Sequence, residues 1–381
     1  MTTTIGIVGG VWKDALRAMQ PASVDAPLVV AAADDIANPD FLVFYSDFLA
    51  PYETAVPRAR RIAVITEPPG ILSYRPGFLA QFGTVISPFA HPGYAGRLIR
   101  SQPGLPWFYG CTFGKGRKPA WRYTFEELAA LPRPEKLNAI SAVLSRKAQA
   151  PLHVARVKCA EELARRFPDN IRIFGSGFDP VDDKADAIDP YRFHLALENT
   201  RDTHYWSEKI ADAYLGWAMP VYEGCTTIAE SFPEASFARI DVTDVEGAVR
   251  TVGTLLEAGE KAVSVDALAE ARRRLLHEHS LPALLRRTVG PLVAEIAAGA
   301  TVRVADMREK TVQVGGGAFT GTVEIQGRVD ISLEWVVVGT LTAPGAVNVA
   351  HTFEEMRANV TALSAGTPVG FVVGRDSRSD G

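Results

Sequence analysis

Cysteine is scarce. The 381 residues contain three, Cys111, Cys159 and Cys225, an odd number without a C-x-x-C pair or metal-ligand spacing, which speaks against a disulfide framework and fits a reducing compartment. Charge of one sign is also missing: 40 Lys and Arg stand against 44 Asp and Glu, a net charge of −4. That balance gives no overall case for nucleic-acid binding, so any anion site has to be local. No stretch approaches the roughly 18 apolar residues of a membrane span. The opening MTTTIGIVGGVWKDALRAM lacks a charged region followed by an apolar signal core. A cytoplasmic, soluble protein is the expectation. Gly9 and Gly10 do not extend into G-x-G-x-x-G, so they read as a tight strand-to-helix turn rather than a dinucleotide fingerprint.

What is present is an ordinary globular composition, 47% hydrophobic and 22% charged, on a chain long enough for two cores. Thr4–Gly9, Leu28–Ala33, Phe41–Tyr45, Arg61–Thr66 and Thr84–Ser87 read as short strands with spacers between them, a parallel α/β pattern. Glu67 follows the fourth run and precedes Pro68 and Pro69, which places a carboxylate where a strand ends on stiff backbone. It is a candidate catalytic group; the alternative is a Glu that merely faces solvent. Residues 88–137 carry Pro, Gly and aromatics with little periodicity. Trp107, Phe108 and Tyr109 offer flat surfaces for sugar rings, although ordinary packing is the slightly better reading.

Leu137–Leu144 is the next strand and opens a second domain. A helix follows, with Leu152, Ala155, Val157, Ala160 and Leu163 as its stripe and Arg156 near its start. Ile171–Phe174 leads into Gly175, Ser176 and Gly177, where glycine permits close backbone approach. Asp179–Asp189 is rich in carboxylates but lacks the ligand pattern of a calcium loop, so it reads as solvated. Phe193, Leu195 and Leu197 then alternate with polar or small residues in a strand that runs into Glu198 and Asn199. Ser207 is placed to cap a helix beginning Glu208-Lys209, and Pro220, Val221 and Tyr222 begin another strand. In an open α/β sheet, ligands gather beyond strand carboxyl ends and beside helix N-termini, which favour anions. Asn199, Tyr205, Glu208 and Lys209 converge on such a place.

The order Tyr191, Phe193, Leu195, Glu198, Asn199, Tyr205, Glu208, Lys209, Pro220, Val221, Gly224 resembles the donor-binding motif of glycosyltransferase family 10, the α1,3/4-fucosyltransferases. Leu197 stands where the family commonly has an aromatic, and Ser207 where it has Thr. The resemblance is strongest over 138–244 and weaker over 61–87. It implies a GT-B architecture, two Rossmann-like domains facing a central crevice: residues 1–136 on the acceptor side, 137–300 on the donor side. It further implies inverting transfer of fucose from GDP-fucose to a glycan hydroxyl. On this likeness Glu67 is the base, Arg156 and Lys209 meet the diphosphate, and Glu198, Asn199, Tyr205, Glu208 and Gly175 complete the donor site. Arg146 and Lys147 are substitutes for Arg156 if the register differs. No obligatory metal or cofactor is expected. Another nucleotide-sugar donor, or a non-catalytic glycan- or nucleotide-binding relative, are the rival readings.

Val245–Ala258 and Val263–Ala298 read as helices, the second split or kinked at Pro282. Its arginines Arg272, Arg273, Arg274, Arg286 and Arg287 raise peripheral membrane contact, but neighbouring acids favour a solvated face. Residues 301–381 resemble no part of the family. They read as a β-rich extension, with Phe353–Leu363 as a possible helix.

Overall fold

The computed structural model describes residues 3–9, 13–22, 28–46, 52–112, 119–146, 151–289, 292–296, 301–303, 307–315, 320–330, 332–343, 345–349, 353, 355–365 and 369–376. Its first sheet contains β1 (Thr3–Val8), β2 (Leu28–Ala32), β3 (Phe41–Tyr45), β4 (Arg61–Val64), β5 (Thr84–Ser87) and β6 (Arg97–Arg100). All six pair in parallel, in the order β2-β1-β3-β4-β5-β6. Parallel strands covered on both faces run as continuous apolar stretches, and every residue of β5 is buried accordingly. Leu42, Phe44, Ala63, Ile65, Phe82 and Val85 form one core beneath this sheet. Helices α1 (Lys13–Met19) and α2 (Pro76–Leu79) belong to it.

A two-stranded ribbon, β7 (Cys111–Thr112) with β8 (Ala120–Trp121), and helix α3 (Phe125–Ala130) follow. Thr124 and Glu127 close a reciprocal capping box at the start of α3.

The second sheet is built from β9 (Leu137–Val143), β10 (Ile171–Phe174), β11 (Tyr191–Leu197), β12 (Met219–Glu223) and β13 (Ala238–Arg239). It too is wholly parallel, ordered β10-β9-β11-β12-β13. Strand order reverses between β9 and β11, and at such a switch point the chain opens a crevice beyond the strand ends. Helix α4 (Pro151–Arg166) joins β9 to β10, α5 (Lys184–Ile188) precedes β11, and α6 (Glu208–Leu215) joins β11 to β12. Short α7 (Ile228–Ser231) and the longer α8 (Val245–Ala258), α9 (Val265–Glu278) and α10 (Leu281–Val289) complete the layer.

Several expectations are corrected. The acidic run at 179–189 is not a solvated loop, because Ala185, Ala187 and Ile188 are buried on α5 and Asp183 is its buried N-cap. Among the described residues beyond β12, only Ala238 and Arg239 pair as a further strand of this sheet. The long helix to Ala298 breaks at His279 and Ser280, ahead of Pro282 in the first turn of α10, and gives way to strand β14 (Leu292–Ile296). Arg272 is buried and donates to the Leu128 carbonyl at 2.8 Å, while Arg273 and Arg274 pair with Glu270. Among the described residues no helix is long and apolar enough to cross a membrane.

Contacts divide the chain into residues 1–284, which hold both parallel sheets, and 285–381. The second unit contains β14, β15 (Thr301–Arg303), β16 (Met307–Gly315), β17 (Thr320–Arg328), β18 (Val336–Leu341), β19 (Gly345–Val349), β20 (Glu355–Ala365) and β21 (Val369–Asp376). They form two antiparallel four-stranded sheets, β14-β21-β16-β19 and β15-β20-β17-β18. The helix expected at Phe353–Leu363 is therefore strand β20, held along its length by β17. Val312, Val323, Ile325 and Met356 are buried within this unit.

Candidate functional site

A cavity of about 410 Å³ opens at the carboxyl end of β9 and β11. The first sheet contributes Glu67 and Ile71 to its lining. The second contributes Val143, Leu144, Ser145, His153, Arg156, Gly175, Ser176, Lys184, Asn199, Glu208 and Lys209. A volume of this order suits a nucleotide-sized ligand. The two walls touch beside it: the Phe89 and Tyr205 rings are 5.4 Å apart, and Arg100 lies 3.9 Å from Asp202.

The chain builds the charged floor from the turn after β11. Glu198 is 0% exposed. It accepts the Ser207 backbone N–H at 2.8 Å and the Ser207 hydroxyl at 2.6 Å, and lies 3.3 Å from Lys209 Nζ. Ser207 Oγ in turn accepts from Lys209 N at 3.4 Å and Lys209 Nζ at 3.0 Å. Lys209 Nζ also lies 3.0 Å from Glu208 Oε1. Burial pushes the Glu198 carboxyl above its ordinary range against the opposing pull of Lys209. Glu208 moves the other way: burial alone raises it, but Lys209 and Lys184 outweigh that and hold it at about 2. Burial disfavours the charged lysine, yet Glu198 and Glu208 keep Lys209 above its ordinary value. The trio is thus two carboxylates sharing one ammonium, arranged at the start of a helix. Gly224 makes room for it: φ is +155°, and a Cβ there would meet Glu198 Cγ at 2.4 Å.

Glu198 does not reach the cavity; it holds Lys209 and the α6 cap from behind. Tyr205 is also behind the lining, buried, with its hydroxyl donating to Asn199 Oδ1 at 2.9 Å. That bond fixes the Asn199 amide, which does line the cavity. A clamp supports the same turn: Arg201 donates to both oxygens of buried Glu223, at 2.8 and 2.6 Å, and to Asp241 at 2.9 Å.

Arg156 comes from the second turn of α4. It is buried, gives one bond to the Leu197 carbonyl at 3.0 Å, and its Nε has no hydrogen-bond partner among the described residues. A buried guanidinium NH without a partner is costly unless a ligand supplies one. Arg146 is spent elsewhere, on Glu161 at 2.6 Å and the Phe178 ring. Lys147 lies outside the described residues. Gly175 adopts φ +111°, and a Cβ would stand 2.2 Å from the Leu144 carbonyl oxygen, so only glycine lets this turn lie against the end of β9.

Glu67 extends from the turn after β4, where Thr66 donates to the Ser46 hydroxyl at 2.8 Å. Burial, then Glu208 and Glu67, push the Tyr45 hydroxyl far above its ordinary value, so both carboxylates share one neighbourhood. Of the aromatics, Trp107 and Tyr109 are core residues, and Phe108 stacks on Trp121 at 6.2 Å. Among the described residues no group of three or more His, Cys, Asp or Glu is placed to hold a metal ion.

Sequence reasoning missed His153 and Lys184. His153 lies three residues before Arg156 on the same helix face, a spacing that offered a signal. Lys184 was hidden in the acidic run.

Two parallel α/β sheets facing a crevice, with cations and a helix start at its floor, define a GT-B type architecture. The model of "Glycosyltransferase family 10 (fucosyltransferase) C-term" matches residues 134–258. A stretch of 60 residues is 37% identical to the α-(1,3)-fucosyltransferase FucT of Helicobacter pylori, covering 16% of this chain and 13% of that protein's length. Among solved structures, an α1,3-fucosyltransferase with GDP-fucose is similar at 16% identity over 66% of this chain and 81% of the other, with TM-score 0.35. One with GDP is similar at 16% identity over 73% and 91%, with TM-score 0.38.

Proposed function

We propose that the protein is an inverting fucosyltransferase that moves fucose from GDP-fucose to a glycan hydroxyl. The observation that carries the reading is the meeting of Glu67 from one sheet with Arg156, Asn199, Glu208 and Lys209 from the other around a single cavity. Such transfer needs a base at the nucleophile and positive charge on the departing diphosphate. Glu67 takes the proton of the acceptor hydroxyl as that oxygen attacks the anomeric carbon. The bond from that carbon to the diphosphate breaks, and GDP leaves against Arg156 and Lys209. Arg156 suits the task because it lines the cavity and guanidinium presents paired donors to phosphate oxygens. Glu208 and Asn199 hold donor hydroxyls. Glu198 and Tyr205 keep Lys209 and Asn199 aimed, and the close turn at Gly175 lets the nucleotide approach the backbone.

The test is calorimetric titration with GDP, GDP-fucose, GDP-mannose and UDP-sugars, followed by a glycan acceptor screen with the donor that binds. Selective GDP and GDP-fucose binding, lost in Lys209→Ala, supports the assignment. Preference for another nucleotide sugar replaces fucose as the donor, and binding of none of them removes the transferase reading.

A further inference from the structure

Lys184 lines the same cavity but has no role in the transfer just proposed. It is the first residue of α5, whose start is fixed by Asp183: that carboxylate accepts the N–H of Ala185 at 2.8 Å and of Gly110 at 3.0 Å. Lys184 Nζ lies over the Phe108 ring, 5.2 Å from its centre. Nζ meets Asp212 Oδ2 at 2.6 Å, its one hydrogen-bond partner among the described residues. Asp212 is 1% exposed, and its other oxygen accepts the N–H groups of Phe108 and Tyr109 at 2.7 and 2.9 Å. A buried carboxylate with three donors has a fixed orientation. The ammonium it holds is therefore fixed on the cavity wall, with two further protons to give.

Lys209 alone is poorly placed to neutralise a diphosphate, because Glu198 and Glu208 already share it at 3.3 and 3.0 Å. Asp212, by contrast, stands outside the cavity lining, behind the lysine it holds. We infer that Lys184 is a third cation of the phosphate subsite and that Asp212 is the residue that positions it. The inference rests on the nucleotide-diphosphate reading of the crevice and extends it to a residue of α5.

The full-length chain is titrated with GDP, guanosine and inorganic pyrophosphate as wild type, Lys184→Met, Asp212→Asn and the double variant Lys184→Met/Asp212→Asn. The double variant removes both halves of the buried pair and stands in if the single lysine variant does not fold. Lys184→Met is expected to bind GDP and pyrophosphate at least tenfold more weakly with guanosine unchanged; Asp212→Asn is expected to lose at least threefold on GDP, also without change for guanosine. GDP affinity equal to wild type in Lys184→Met overturns the assignment, as does parallel loss of guanosine, which marks a structural role. Wild-type GDP affinity in Asp212→Asn removes the positioning role. If wild type fails to bind GDP, the guanine-nucleotide reading falls, and pyrophosphate alone decides Lys184: tenfold weaker binding in Lys184→Met upholds it, equal or no binding overturns it.

Discussion

Buried Glu198 lies against Lys209 of the cavity lining, 3.3 Å between Oε2 and Nζ, and the carboxylate also takes both donors of Ser207. Removing Glu198 leaves Lys209 with Glu208 alone and takes the acceptor from both donors of Ser207. Glu198→Ala is expected to lose about 1–3 kcal/mol of stability, the cost of leaving buried donors without an acceptor, read from urea unfolding at neutral pH. Lys209→Ala is expected to weaken GDP binding at least about tenfold, the ~1.5–3 kcal/mol of a charged hydrogen bond. Unchanged GDP affinity in a folded Lys209→Ala protein would take the lysine out of the site.

Glu67→Gln keeps the shape of the side chain and abolishes its basicity. Transfer is expected to fall by about 100- to 10,000-fold, the usual contribution of a general base, while GDP affinity measured by calorimetry stays within about twofold. Full transfer activity would reject the base assignment.

Gly175→Ala places a methyl against the Leu144 carbonyl in a left-handed conformation. The strain is expected to cost about 1–3 kcal/mol and to weaken nucleotide binding, because the turn forms part of the cavity wall. Thermal melts with and without GDP measure both effects. A variant with wild-type stability and affinity would show that the turn relaxes freely.

Lys136 supplies a pH test. It is buried and donates to the Ile188 carbonyl at 3.2 Å and to the Gly216 carbonyl, at the ends of α5 and α6. Burial lowers its pKa from 10.5 to about 7, against the opposing pull of Asp189. The unfolded chain keeps this proton to about 10.5 while the folded chain releases it near 7. Between those values the unfolded state binds more protons, so this group makes stability rise with pH. Wild type minus Lys136→Met, followed by urea unfolding from pH 6 to pH 10, is expected to show that rise; a flat difference would place the pKa near its ordinary value.

This wall of the cavity was legible because its residues lie close in sequence: the strand that delivers Glu198 and Asn199, the cap at Ser207 and the helix carrying Glu208 and Lys209 span one short unit. Arg156 was legible as a cation opening a helix. Lys184 was not, since its partner Asp212 is 28 residues away and its neighbours are acids. The same charges hid the apolar face of α5, formed by Ala185, Ala187 and Ile188. In the second unit, Leu292–Ile296 and Glu355–Ala365 carry patterns that suit either period; pairing with β21 and β17 decides them, and such pairing has no local signature.

The connector between the two sheets is tied down at both ends. On the first sheet's side, the Tyr45 hydroxyl donates to the Gly104 carbonyl at 3.2 Å. On the second, Asp212 grips Phe108 and Tyr109. Only Leu105, Pro106 and Trp107 lie between these anchors, and Pro106 and Trp107 are buried. The link between these anchors is therefore short, and any change in the separation of the two walls has to be taken up by rotation about its few backbone bonds or by release of an anchor. The distance from Glu67 to Arg156 and Lys209 across the cavity is carried by those same bonds.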